Sequence, residues 1–87
     1  MNWKLVFTKM AQKDAKKIKR AGLKPKVEEL LSVIKENPFQ NPPSYEKLIG
    51  DLSGAYSRRI NIQHRLIYQV LTEENAVKVI RMWTHYE

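Results

Sequence analysis

With 87 residues the chain has room for one domain, residues 1–87, and a chain this short buries only about 60 to 65% of its extended surface, so a bound partner adds appreciably to its stability. The absence of cysteine excludes disulfides, thiolate metal sites and cysteine nucleophiles, and two histidines far apart in sequence, His64 and His85, make a metal site improbable. Sixteen Lys and Arg against nine Asp and Glu leave a net charge of +7, which suits nucleic acid, an anionic membrane or an acidic protein, while no segment approaches the ~18 apolar residues of a membrane span and no signal-peptide core is visible, so a cytoplasmic protein is expected.

In chain order, the apolar run WKLVF at 3–7 predicts a short strand, and Thr8 is a suitable helix N-cap because its hydroxyl can accept an orphan backbone N–H. Ala11, Ala15 and Ile18 then follow helical spacing toward a core. Lys9, Lys13, Lys16 and Arg20 fall at i, i+4, i+7 and i+11 on another face, part of a segment from Lys9 to Lys26 with eight basic residues and one acid, Asp14. Gly22 ends this helix. Pro25 suits a first helical turn, Val27, Leu30, Leu31 and Ile34 mark the apolar face of a second helix, and Asn37-Pro38 stops it, giving an αα-hairpin.

Three prolines between 38 and 44 predict a loop, and Gly50 and Gly54 bracket a further one that contains LSG. AYSRRINI, RLIYQVL and AVKVIRMW follow as strands, with turns around 61–64 and 72–75, so an antiparallel meander is expected. Period two places Tyr56, Arg58, Ile60 and Ile62 on one side, and Ser57, Arg59 and Asn61 on the other; Leu66, Tyr68 and Val70 alternate with Arg65, Ile67 and Gln69. The fold class is α+β. The N-terminal strand and the helix hairpin pack on one face of a twisted antiparallel sheet, leaving a mixed, basic face where Arg59 and Arg65 lie on neighbouring strands.

The second half of the chain supplies a carboxylate at Glu46, several arginines, and a histidine beside a tyrosine at residues 85 and 86. Cleavage of RNA by its own 2′-OH needs a base, an acid and cations around a pentavalent phosphorus, and Glu, His and Arg can supply these without a metal. Any basic α/β domain could carry that inventory, so the residues alone leave catalysis and plain RNA binding both open.

The resemblance is more specific. Glu46-Lys47-Leu48, then LSGAYSRRINIQHRLIYQV at 52–70, then His85-Tyr86, closely resembles the YoeB/Txe toxins, ribosome-dependent mRNA interferases of the RelE/ParE superfamily. The likeness runs through most of the chain and implies a microbial-ribonuclease-like plan with the site on the concave sheet face. It implies Glu46 as general base, Arg65 as the cation at the scissile phosphate, His85 as general acid and Tyr86 stacking on or orienting the substrate, with an exchange of the base and acid roles between Glu46 and His85 left open. Arg59, Lys47 and Arg58 are the implied substrate contacts, although Arg58 and Arg59 differ in parity, so a regular strand presents only one, and Arg59 is favoured. No cofactor is expected. The implied partners are an acidic YefM/Axe-like antitoxin, the 70S ribosome with mRNA, a second copy of the chain in a homodimer, and operator DNA through the antitoxin complex.

Plainer roles compete. Helix lysines are most often a solvated face, and Lys9, Lys13 and Lys16 become ribosome contacts only if the chain docks on ribosomal RNA. His64 reads as a turn residue, Trp83 and Tyr68 as core, Tyr56 as either, and Arg81 and Lys78 as surface charges or substrate contacts. The alternative functions are a ParE-like gyrase inhibitor without catalysis and a basic RNA-binding module. His85 and Tyr86 point to opposite faces of a regular strand, so their joint use of one site requires a break after Trp83 or Thr84.

Overall fold

The computed structural model describes residues 2–50 and 54–84. Its elements are β1 (Lys4–Phe7), α1 (Lys9–Arg20), α2 (Lys24–Glu36), β2 (Glu46–Lys47), β3 (Ala55–Arg59), β4 (Arg65–Leu71), a 3-10 turn (Thr72–Glu74) and β5 (Ala76–Thr84). One five-stranded sheet has the order β1-β5-β4-β3-β2. β2 to β5 pair antiparallel as the short turns dictate, whereas β1 runs parallel to β5, from Lys4↔Ala76 to Phe7↔Val79. The sheet is antiparallel as expected except at that edge, where the two ends of the chain pair in parallel, and both helices lie in the connection that carries the chain from β1 to β2 at the opposite edge.

Local chemistry accounts for the helix ends. The Thr8 hydroxyl accepts the Ala11 amide at 3.0 Å and donates to the Ile80 carbonyl at 2.8 Å, so one side chain caps α1 and ties it to β5. Beyond Arg20 the chain turns at Gly22, whose φ of +75° lies in the left-handed region open to glycine. Pro25 stands in the first turn of α2, as expected. Val27, Leu30 and Ile34 from α2 join Ala11 and Ile18 from α1 over Leu66, Tyr68, Val77 and Val79 of the sheet.

Asp14 is 1% exposed and Ala15 is exposed, the reverse of the apolar reading of α1. The reason lies across the fold. β1 ends at Phe7, so among the described residues the edge of β5 beyond Val79 has no strand beside it. The Asp14 carboxylate takes the place of one: Oδ2 accepts the Met82 amide at 3.0 Å, the Trp83 amide at 3.2 Å and Arg81 Nε at 2.8 Å. Burial alone would raise its pKa, but the hydrogen bonds from Arg81, Met82 and Trp83, together with the Arg81 charge, hold the carboxyl below its usual 3.8. Arg81 is thus committed to the fold.

Ile62, placed on the apolar side by parity, is 88% exposed because β3 stops at Arg59 and Ile62 falls in the turn. In that turn the Asn61 side-chain oxygen accepts the amides of Gln63 and His64, the Asx arrangement that favours Asn in turns.

Candidate active site

Directly paired strand residues project to the same face, and successive residues to opposite faces. The register Glu46↔Ser57, Ser57↔Ile67 and Arg59↔Arg65 therefore assembles Glu46, Ser57, Arg59, Arg65 and Ile67 on the face away from the helices. Ser57 and Ile67 are buried and form its floor. Arg65 rises from that floor, its Nε donating to the Ser57 hydroxyl and its Nη2 lying 3.2 Å from Glu46 Oε1. The two side chains differ in access, Arg65 being 13% exposed and Glu46 68%. The guanidinium is thus held from two sides while the carboxylate stays open to an incoming group. Arg59, exposed and opposite Arg65, adds a second cation. On this face a carboxylate can abstract a proton while the guanidinium groups of Arg65 and Arg59 balance the charge of a phosphate.

The motif Ser57-Arg58-Arg59 divides its work by parity. Ser57 orients Arg65, a role that was not read from the sequence although its shared parity with Arg59 marks it as part of the same face. Arg59 is on the face expected of it. Arg58 is not available to a ligand: it is fully buried, and its guanidinium donates to the Tyr68 hydroxyl and to the carbonyls of Pro38, Gln40 and Pro43. Its parity with Tyr56 and Ile60 sends it under the proline loop. Burial pushes the Tyr68 phenol above its usual 10.0 against the opposing hydrogen bond and charge of Arg58, and the neutral hydroxyl donates to Pro38 O at 2.8 Å. Phe39, Tyr45, Tyr56 and Tyr68 pack around this region with ring centroids 5.3–6.1 Å apart. Lys47 also departs from expectation. It pairs with Tyr56, so it projects to the side opposite Glu46.

At the other end of the site, His64 stacks on Trp83 with ring centroids 3.8 Å apart and planes at 21°. Its backbone amide is bonded to Asn61, and its Nδ1 is buried with no partner among the described residues. The pairing of β4 with β5 is irregular between Arg65 and Ile67 and again between Ile67 and Tyr68, which brings Thr84 opposite Arg65. The strand that leads to His85 therefore ends in register with Arg65. β5 continues through Thr84, so the first expected place for a break, after Trp83, is still strand; His85, Tyr86 and a break after Thr84 lie outside the described residues, as do Leu52 and Ser53 of the LSG motif. Among the described residues no group of three or more His, Cys, Asp or Glu could hold a metal ion, and no helix is long and apolar enough to cross a membrane.

A helix hairpin on one side of this sheet and an edge-strand carboxylate paired with an arginine on the other characterise a RelE-like toxin fold. Residues 5–86 match the family described as YoeB-like toxin of bacterial type II toxin-antitoxin system. The toxin YoeB of Synechocystis is 33% identical over 92 residues, covering 97% of this chain and 98% of that protein. Among solved structures, the YoeB/ParE toxin from Agrobacterium tumefaciens superposes with a TM-score of 0.86 at 34% identity, over 95% of this chain and 99% of that one. The toxin in the YoeB-YefM complex from Staphylococcus aureus gives 0.81 at 34% identity, over 99% and 100%. The chain belongs to the YoeB-like toxin family and is a toxin of a type II toxin-antitoxin system.

Proposed function

We propose that this toxin is a ribosome-dependent endoribonuclease that cleaves mRNA in the A site and so stops translation. The observation that carries the reading is the Glu46–Arg65 pair, 3.2 Å apart on an open sheet face beside Arg59. Glu46 takes the proton of the 2′-OH, and the 2′-oxygen attacks the adjacent phosphorus. Arg65 and Arg59 balance the charge that accumulates on the phosphorane oxygens. The bond to the 5′-oxygen breaks, that oxygen receives a proton from His85, and the products are a 2′,3′-cyclic phosphate and a free 5′-OH. Tyr86 orients the substrate, and neither metal nor cofactor takes part. The test is primer extension on a defined mRNA incubated with EDTA-treated toxin, with and without stalled 70S ribosomes. Cutting confined to the A-site codon of ribosome-bound message supports the reading, and an intact message opposes it.

Two further outcomes are expected. Ser57→Ala removes the acceptor for Arg65 Nε, and with the guanidinium less constrained the single-turnover rate falls about tenfold, equivalent to ~1.4 kcal/mol of barrier. Lys9, Lys13 and Lys16 are exposed on α1. Neutralising all three weakens ribosome binding, more so at low salt, because phosphate contacts act through counterion release; binding unchanged across a salt series, measured by filter retention, contradicts this contact.

The partner is an acidic antitoxin of the YefM kind, with a segment that folds on the basic surface and covers the site; the similar S. aureus structure is a YoeB-YefM complex. A homodimer and operator binding through the toxin–antitoxin complex complete the reading.

A further inference from the structure

β3 carries a cation into a place where a charge is costly. Arg58 is 0% exposed, and taking a guanidinium out of water is offset only by a counterion or by dense hydrogen bonding. Among the described residues no carboxylate ion-pairs with it, since Glu46 faces Arg65 and Asp14 faces Arg81. Its partners are neutral. Nε donates to the Tyr68 hydroxyl at 3.0 Å, Nη1 to Pro43 O at 2.6 Å, and Nη2 to Pro38 O at 3.0 Å and Gln40 O at 2.9 Å. The Tyr45 ring closes over it, with Cζ 5.0 Å from the ring centroid.

An apolar side chain of the same volume would fill this space at lower cost. What the guanidinium adds is a fixed fork that gathers three carbonyls of a segment without regular secondary structure. That segment runs directly into Tyr45 and Glu46. β2 has two residues and two register pairs, too little pairing to fix its own position. The strand is gripped from both faces of the sheet: on the open face Arg65 holds the Glu46 carboxylate, and on the hidden face Arg58 holds the chain that delivers Glu46.

We propose that Arg58 is a positioning residue, which fixes the entry of the chain into β2 through the Pro38, Gln40 and Pro43 carbonyls and so sets the Glu46 carboxylate against Arg65. Its effect on cleavage rests on the reading of Glu46 as the base, whereas its effect on β2 does not.

Arg58→Lys keeps the charge but cannot reproduce the fork. In the full chain, hydrogen exchange at the Leu48 amide, which donates to Ala55 O at 2.9 Å, is expected to speed up at least ~10-fold relative to the amides of β4. In a double-mutant cycle, Arg58→Lys lowers kcat at least ~10-fold with KM unchanged, and has little further effect in a Glu46→Ala background. Unchanged exchange at Leu48 overturns the inference, as does an equal loss of rate in both backgrounds. If Glu46→Ala itself leaves cleavage intact, the reading of Glu46 as base fails, and the exchange measurement still decides whether Arg58 holds β2. Should Arg58→Lys fail to fold, Tyr68→Phe removes the hydroxyl that links Arg58 to Pro38 and is expected to move the same two readouts by a smaller factor.

Discussion

An Asp14→Ala chain is expected to lose about 3 kcal/mol or more of stability, a large share of what a domain of this size has. The carboxylate accepts from two backbone amides of β5 and from Arg81, and its removal leaves the buried Met82 amide without an acceptor. Arg81 is a third exposed on its side chain, so water screens part of the charge term and most of the loss comes from the amides. Such a loss corresponds to a melting point lower by at least ~12 °C, readable by circular dichroism. The pH dependence has a definite sign. The folded carboxyl titrates below the unfolded one, so its contribution is fully present above about pH 4 and disappears as pH falls through the folded value. The parent therefore loses stability on acidification below about pH 4, while Asp14→Asn starts lower and loses less over the same interval. Parallel acid melts of the two chains would contradict the assignment.

Glu46→Ala is expected to reduce cleavage of ribosome-bound mRNA by about 10²–10⁴-fold, the range for loss of a general base. Because Glu46 is largely exposed and its strand is short, the fold and the affinity for ribosomes should change little. Arg65→Lys is a stricter variant. One ammonium cannot donate to Ser57 and Glu46 in the geometry of the guanidinium and also meet a phosphate, so charge is kept while orientation is lost. A rate within about twofold of the parent for both variants, in single-turnover assays, would remove this pair from the chemistry.

The helices were legible because their signals are local. Thr8, Gly22, Pro25 and the spacing Val27, Leu30, Ile34 each act within a turn or two of helix, and each is found where that chemistry places it. Asp14 was not legible in this way. Helical spacing allows either residue 14 or 15 to turn inward, and what selects the aspartate is the unpaired edge of β5, 68 residues on, where Met82 donates. β2 leaves no periodic signal of its own, since two residues cannot display a period. The parallel pairing of β1 is likewise set by contacts between the chain's two ends.

For the site, alternation on β3 and β4 correctly brought Arg59 beside Arg65. The same parity could have flagged Arg58, which stands in a set otherwise made of Tyr56 and Ile60; a strand arginine in an apolar set is a candidate for burial. Lys47 followed from the family pattern alone, and the Lys47↔Tyr56 pair turns it to the other side.

Whether the open face carries out 2′-OH attack on mRNA in the ribosome is decided by end-group analysis of the cut message. A 2′,3′-cyclic phosphate on the upstream fragment and a 5′-OH on the downstream one, formed by the parent chain and lost with Glu46→Ala, are expected. A 5′-phosphate at the cut, or an intact message in the presence of folded, antitoxin-free toxin, would contradict 2′-OH attack.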